Sequence, residues 1–315
     1  MDMVLTVLVF FAGLLLLYYG AEYLVTGSSH LAFSFGVRPL IVGMTVIAFA
    51  TSMPELMVSL LAAFKGSSDI AAGNIIGSNI ANVGLILGVA GLMMPMTVAR
   101  STLMREIPFM IGVSLLLYLF VLDGVLGFAN GLILFLLLIG FLLYCLRTAR
   151  TGSVVEVDAE APRGRPGESR RRHLVFIGLG MVGLGVGAEL MVRSAVIIAT
   201  ALGISELVIG MTVVALGTSL PELAASVVSA WKGEMDLSVG NVIGSNIFNV
   251  LFVLGICPMI RPLSIDPSVL RFELPIMLAF SIALIPLLLP GMKLDRPRGA
   301  LLLTAYLIFI GVLFV

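Results

Sequence analysis

Residues 43–55 read GMTVIAFATSMPE, and 167 positions later, at 210–222, the chain reads GMTVVALGTSLPE, with nine identities in thirteen. The same shift, without a gap, lays GNIIGSNIANVGLILG from Gly73 on GNVIGSNIFNVLFVLG from Gly240, and it pairs Lys65 with Lys232, Glu106 with Glu273 and Pro108 with Pro275. Any fold for this chain must therefore accommodate two copies of one unit. The solvent around those copies limits how they can be related. Sixty per cent of the 315 residues are hydrophobic, 11% are charged and the mean hydropathy is +1.16, far from the charged fraction of about 25% typical of soluble domains. The chain reads as an integral membrane protein, in which the backbone must satisfy its own hydrogen bonds. The formal net charge of zero gives no argument for nucleic acid as a partner.

Ten apolar runs have the length of a transmembrane helix, about 17–25 residues, five in each copy. The first covers Leu5 to Val25, the sixth Leu174 to Ile198 and the seventh Leu207 to Trp231. The first run is expected to stay in the mature protein: it lacks a basic n-region, and its GAEYLV at 20–25 returns as GAELMV at 187–192 inside the sixth. Five is odd, so the second copy must thread the membrane in the opposite sense to the first. The expected fold is an all-α integral membrane protein of ten transmembrane helices, arranged as two inverted five-helix repeats, with the repeated motifs facing each other near the midplane. The first repeat covers 1–147 and the second 174–315, and the polar segment 148–173 reads as a flexible linker. Fourteen of the eighteen Lys and Arg residues lie on the side of that linker, seven of them from Arg147 to Arg172. Only Lys65, Arg261 and Arg271 lie opposite, and Arg193 falls within a span. The excess predicts a cytoplasmic linker in a multi-pass cell-membrane protein, with both termini outside.

The motifs are polar where the chain should be most apolar. Thr51 and Ser52 fall at the middle of the second run, and Thr218 and Ser219 at the centre of the seventh. A charge at that depth costs about 2.5–3.5 kcal/mol on insertion scales, so Glu55 and Glu222 need a reason. Pro54 and Pro221 break their helices and release the carbonyls of Ala50 and Gly217. Each half that ends there presents carbonyl oxygens, and each half that begins there favours an ionised carboxylate at its N-terminus. A proline kink with Ser and Thr bonded back to the i−4 carbonyl explains the hydroxyls. It does not explain two symmetric glutamates.

The second motif supplies further donors. Gly73, Gly77, Gly240 and Gly244 read as sites of close helix contact. The amides of Asn74, Asn79 and Asn82, matched by Asn241, Asn246 and Asn249, need partners within a span. Ser78 and Asn82 lie four apart on one helical face, as do Ser245 and Asn249. Two carboxylates with carbonyl, hydroxyl and amide oxygens match the six to eight oxygen ligands of Ca²⁺, whereas zinc or copper would call for His or Cys. Two glutamates also neutralise one Ca²⁺. Cys145 and Cys257, in apolar runs, read as buried small hydrophobes. His30 and His173 read as isolated, in loop or interfacial positions. Glu22 and Glu189, repeated at the ends of the first and sixth runs, read as interfacial anchors rather than as mouth residues that attract cations.

TSMPEL with GNIIGSN, and TSLPEL with GNVIGSN, resemble the two α-repeats of the cation/Ca²⁺ antiporters, in particular the prokaryotic Na⁺/Ca²⁺ exchanger branch, over the whole chain outside the linker. The resemblance implies a Ca²⁺ site flanked by Na⁺ sites, used by three Na⁺ or one Ca²⁺ in alternation, with no cofactor. Its ligands would be the Ala48 carbonyl, Thr51, Ser52, Glu55, Ser78 and Asn82 from the first repeat. From the second they would be the Ala215 carbonyl, Thr218, Ser219, Glu222, Ser245 and Asn249. It also implies rocking of the first and sixth spans as the gate. Some relatives carry an aspartate where this chain has Asn249, and in the K⁺-dependent branch that acid is associated with potassium, so exchange here should be K⁺-independent. The H⁺/Ca²⁺ branch usually has GNxxE where GNIIGSN stands, which makes proton coupling the alternative. A cation channel would be a different class, using similar oxygens on an oligomer axis. An intramembrane enzyme would need a nucleophile with its base or an HExxH metal site, and the sequence has neither. No obligate protein partner is evident.

Overall fold

The computed structural model describes residues 3–149, 170–203 and 215–313. Its main helices are α1 (Met3–Phe35), α2 (Pro39–Thr51), α3 (Met53–Lys65), α4 (Ser68–Met93), α5 (Thr102–Phe120), α6 (Phe128–Thr148), α7 (Arg170–Ala201), α8 (Leu220–Trp231), α9 (Met235–Ile260), α10 (Pro267–Leu288) and α11 (Arg296–Leu313). All except α2, α3 and α8 are long and apolar enough to cross a bilayer alone. The described residues thus carry eight such helices, or nine if α2 and α3 form one broken span, rather than the expected ten. The seventh expected run is described only from the turn Ala215–Gly217 onward, and its beginning, within 204–214, lies outside the described residues. So does most of the expected linker. Its last residues, from Arg170 to His173, are helical and open α7.

Burial separates two helices from the rest. In their most apolar windows α4 and α9 are 78% buried by protein, against 22–39% for the other six single spans. These two carry GNIIGSN and GNVIGSN, so the polar motifs are shielded while the remaining helices turn their apolar faces outward, as a bilayer requires.

The chain divides into two compact units, and the division does not follow the repeats. Unit 1 comprises 1–51 and 141–241, and unit 2 comprises 52–140 and 242–315. Each therefore takes material from both copies.

In unit 1, α1 packs along its repeat mate α7, and the two run antiparallel. A Cβ placed on Gly13 would meet Met191 N at 2.8 Å and Gly187 O at 2.9 Å, one on Gly20 would meet Leu184 N at 2.6 Å, and one on Gly27 would meet His173 O at 2.8 Å. The pairs Gly13–Gly187 and Gly20–Gly180 exchange under the 167-residue shift, as they must if the two helices are related by a two-fold axis. Small residues let backbones approach this closely, and in lipid the resulting dispersion contacts are what hold helices together. Leu17, Leu24, Leu184, Ala225 and Val228 fill the core beside this seam.

Both helices outrun their hydropathy signal, at 33 and 32 residues. At about 1.5 Å per residue each exceeds the hydrocarbon thickness of about 30 Å. The extra turns carry the two histidines, which are not isolated. His30 in α1 and His173 in α7 stack with ring centroids 5.0 Å apart and planes 15° from parallel. Antiparallel packing brings the end of one helix to the start of the other, which corrects the reading from sequence. Glu22 pairs with Lys232 at 3.3 Å, and Glu189 pairs with Arg193 one turn along α7. Exposed pairs of this kind contribute little to stability.

In unit 2, two short antiparallel ribbons tie the copies together. Met96–Thr97 pairs with Lys293–Leu294, and Val125–Leu126 pairs with Leu263–Ser264. Each joins the segment after the GNxxGSN helix of one copy to the segment before the last helix of the other. α4 packs against α11 and α5 against α10. Close contacts again depend on glycine: a Cβ on Gly131 would lie 2.6 Å from Gly255 O, and one on Gly299 would lie 2.8 Å from Gly88 O. Cys145 in unit 1 and Cys257 in unit 2 are both buried.

Candidate functional site

The break in each repeat has the same local form. Ser52 has φ −80° and ψ 5°, Ser219 has φ −88° and ψ 4°, and a new helix starts at the next residue. The prolines then fall in the first turn of α3 and α8, where a missing N–H costs no hydrogen bond. The sequence suggested a kink at the proline itself; the structure places the break two residues earlier. Glu55 and Glu222 occupy the first turn of the restarted helices, where the helix dipole favours an ionised carboxylate. Each is 0% exposed.

An asparagine in the neighbouring helix pins each of these turns. Asn74 Nδ2 donates to Glu55 O at 3.3 Å and to Ser59 Oγ at 3.0 Å. Its mate Asn241 donates to Glu222 O at 3.2 Å and to Ser226 Oγ at 2.9 Å. Ser59 Oγ in turn donates to Ala71 O at 3.2 Å, and Ser238 Oγ to Ser226 O at 2.9 Å. The first asparagine of each GNxxGSN thus secures the backbone at the glutamate. Removing it withdraws donors from buried acceptors. Asn241→Ala is expected to lower stability by about 1–3 kcal/mol, read as a lower midpoint of thermal unfolding in detergent, and an unchanged midpoint would contradict this role.

Unit 1 gathers one set of the predicted residues. Ala48 and Thr51 lie in the last turn of α2, which packs against α8 and so brings first-repeat residues to the helix of Glu222. Thr51 Oγ1 lies 3.1 Å from Ile47 O, 3.4 Å from Ala48 O and 3.2 Å from Asn241 Oδ1. Its single O–H thus has acceptors both in its own turn, at the i−4 carbonyl, and in the other repeat, at Asn241. Thr218 and Ser219 are buried beside the same break. The backbone of Ala215 opens the short turn that precedes them.

Unit 2 gathers the rest. Ser52, Glu55, Ser78, Asn82, Ser245 and Asn249 are all buried, and α3 packs against the turn that Asn249 opens. That turn, Asn249–Val253, is π-helical, as is its mate Asn82–Ile86. Such single wide turns recur at functional sites, and nothing in the sequence pattern announced them. Among the described residues the Oδ1 atoms of Asn82 and Asn249 are buried without a hydrogen-bond partner. Of the four motif glycines, Gly240 makes a close contact, its Cβ position lying 2.6 Å from Leu40 O. Gly73 and Gly77 meet nothing within 4 Å among the described residues.

Each unit thus holds one of the two motif glutamates, fully buried, with hard oxygen donors drawn from both repeats, which is the chemistry of a site for a hard cation. The comparisons with known proteins agree. The family model described as sodium/calcium exchanger protein matches residues 5–147 and 172–315. The chain is 38% identical to inner membrane protein YrbG of Escherichia coli over 324 aligned residues, covering 99% of this chain and 98% of that protein. It is 32% identical to sodium/calcium exchanger MaX1 of Methanosarcina acetivorans, covering 98% of each. A solved structure of the sodium-calcium exchanger NCX_Mj superposes with a TM-score of 0.86 at 33% identity, over 98% of this chain and 99% of that one. Doubled motif, paired breaks and full-length similarity together show that this chain belongs to the sodium/calcium exchanger family.

Proposed function

We propose that this protein is a secondary active antiporter that exchanges Na⁺ for Ca²⁺ by alternating access and normally extrudes Ca²⁺. The observation that carries the reading is the pair of fully buried glutamates, each in the first turn after an identical helix break. Glu55, Glu222, Thr51 and Thr218 serve both Ca²⁺ and Na⁺. Ser52, Ser219, Ser78, Ser245, Asn82, Asn249 and the carbonyls of Ala48 and Ala215 complete the Na⁺ sites and line the cavity. Structures of NCX_Mj soaked with Na⁺, Ca²⁺ or Sr²⁺ support this choice of cargo. Ten spans in two inverted repeats, outward termini and a cytoplasmic segment 148–173 complete the proposal, with α1 and α7 as the moving gate.

Energetics show why the coupling ratio, proposed as three Na⁺ for one Ca²⁺, matters. A tenfold Na⁺ gradient contributes about 1.4 kcal/mol per ion, and one charge moving through 100 mV adds about 2.3 kcal/mol. Three Na⁺ against one Ca²⁺ yield about 6.5 kcal/mol, enough for four to five decades of Ca²⁺ gradient, whereas two Na⁺ yield only about two decades. Proteoliposomes test this directly. Uptake of ⁴⁵Ca²⁺ is expected only with Na⁺ inside, is expected to be faster with the lumen held positive, and should persist when K⁺ is absent from both sides once the potential is set by other means. Uptake without internal Na⁺ would indicate a channel, and uptake driven by internal acid alone would indicate proton coupling.

A further inference from the structure

The GNxxGSNxxN motif supplies three asparagines per repeat. The first pins the glutamate backbone, and the third presents a buried Oδ1 that nothing among the described residues satisfies. The second, Asn79 and its mate Asn246, has no part in the ligand set proposed above. Both are nearly inaccessible, at 1% and 2% exposure.

Their hydrogen bonds run across the repeats, all within unit 2. Asn249 Nδ2 donates to Asn79 Oδ1 at 3.0 Å, and Asn82 Nδ2 donates to Asn246 Oδ1 at 2.9 Å. Asn79 Nδ2 donates to Asn246 O at 3.4 Å, and Asn246 Nδ2 returns the bond to Asn79 O at 3.4 Å. The remaining acceptors are sulfurs: Met277 Sδ lies 3.7 Å from Asn79 Nδ2, and Met110 Sδ lies 3.5 Å from Asn246 Nδ2. Every bond has its mate under the shift of 167 residues. Asn79 and Asn246 use both ends of their carboxamides, whereas Asn82 and Asn249 use only the nitrogen.

A carboxamide has two nearly isosteric ends, one a donor and one an acceptor. Left alone, the side chain of Asn82 or Asn249 could turn either end toward a cation, and the NH₂ end would repel it. An acceptor held against Nδ2 removes that choice. If Asn249 flipped, its Oδ1 would face Asn79 Oδ1, and two buried acceptors would meet with no proton between them. Asn79 cannot flip in compensation without losing its own bond to Asn246 O. The network leaves two buried oxygens unsatisfied among the described residues, an unfavourable state that a bound cation offsets.

We propose that Asn79 and Asn246 are positioning residues for ion binding: each holds the carboxamide of the other repeat's cavity asparagine, Asn249 or Asn82, so that its oxygen and not its nitrogen meets the cation. The proposal rests on the antiport reading above. It also links the two halves of the chain, because each copy's ligand is oriented by a residue of the other copy.

Double-mutant cycles in proteoliposomes test it, with half-saturating Na⁺ and Ca²⁺ read separately from maximal rate and with thermal unfolding as the folding control. Asn79→Ala and Asn249→Ala are each expected to raise half-saturating cation by about tenfold, and the double variant by no more than Asn249→Ala alone. Asn79→Ala with Asn82→Ala, which share no bond, should multiply. Asn79→Asp keeps an oxygen opposite Asn249 Nδ2 in either protonation state and should not raise half-saturation, whereas a merely structural role would make it as damaging as Asn79→Ala. Multiplying losses in the Asn79/Asn249 pair, or an equal loss in Asn79→Asp, would overturn the positioning role alone. Absence of Na⁺-dependent uptake in the wild-type protein would overturn the antiport reading, and this proposal with it.

Discussion

Glu55→Gln and Glu222→Gln are each expected to reduce Na⁺-driven Ca²⁺ uptake by at least about a hundredfold while the protein stays folded. Both carboxylates are fully buried, and removing one partner of a buried charge pair costs about 3–5 kcal/mol, which is about two to three and a half decades in affinity. Glutamine preserves shape and one oxygen but removes the charge, and its NH₂ group can turn toward the cation. A site with one carboxylate leaves Ca²⁺ with an uncompensated positive charge in a medium of low dielectric. Folding should not suffer, because a neutral amide is less costly to bury than a carboxylate. The thermal midpoint in detergent is therefore expected to hold or rise while ⁴⁵Ca²⁺ uptake vanishes. The two variants should be equally inactive, since the breaks that hold the glutamates match to within a few degrees at Ser52 and Ser219. Wild-type transport in either variant would refute the assignment.

Gly20→Val is expected to destabilise the protein by about 3 kcal/mol or more, the upper range for overpacking. A Cβ at Gly20 would lie 2.6 Å from Leu184 N and 2.8 Å from Gly183 C, and one at the mate, Gly180, would lie 2.5 Å from Leu24 N. The obstacles are backbone atoms, which cannot move aside as a side-chain tip can, so α1 and α7 would have to separate along their whole seam. Gly178 and Gly185, on α7, provide the control. A Cβ on either meets nothing within 4 Å, so Gly178→Ala and Gly185→Ala should be neutral, or stabilising by up to about 1 kcal/mol through helix propensity. If Gly20→Val melted with these controls, the close approach of α1 and α7 would be wrong.

Much of the site was legible because its signals are local. TSMPEL and TSLPEL place hydroxyls, a proline and an acid within one turn, and the cost of a carboxylate in a bilayer makes such a turn conspicuous. The position of the break was less legible. A proline predicts a kink at itself, but the helices stop at Ser52 and Ser219 and use Pro54 and Pro221 as helix starters. The π-helical turns at Asn82 and Asn249 left no trace in periodicity, because one extra residue per turn changes no residue type. The ends of α1 and α7 were underestimated for a related reason: Gly27, Ser28, His30 and His173 do not score as hydrophobic, yet antiparallel packing buries or stacks them.

The amino-acid sequence by itself determined the repeat, the membrane as solvent, the two breaks and the set of polar residue types that must find partners in a span. Those conclusions need only composition, parity and the cost of an unsatisfied polar group. The tertiary structure alone decided which asparagine of each motif does what. Asn74 and Asn241 fasten the glutamate turns, Asn79 and Asn246 brace the other copy, and Asn82 and Asn249 keep a bare oxygen. Three identical side chains differ only in their neighbours, and the bracing partners lie more than 160 residues away along the chain. No local pattern can encode a contact over that distance; packing between the repeats creates it.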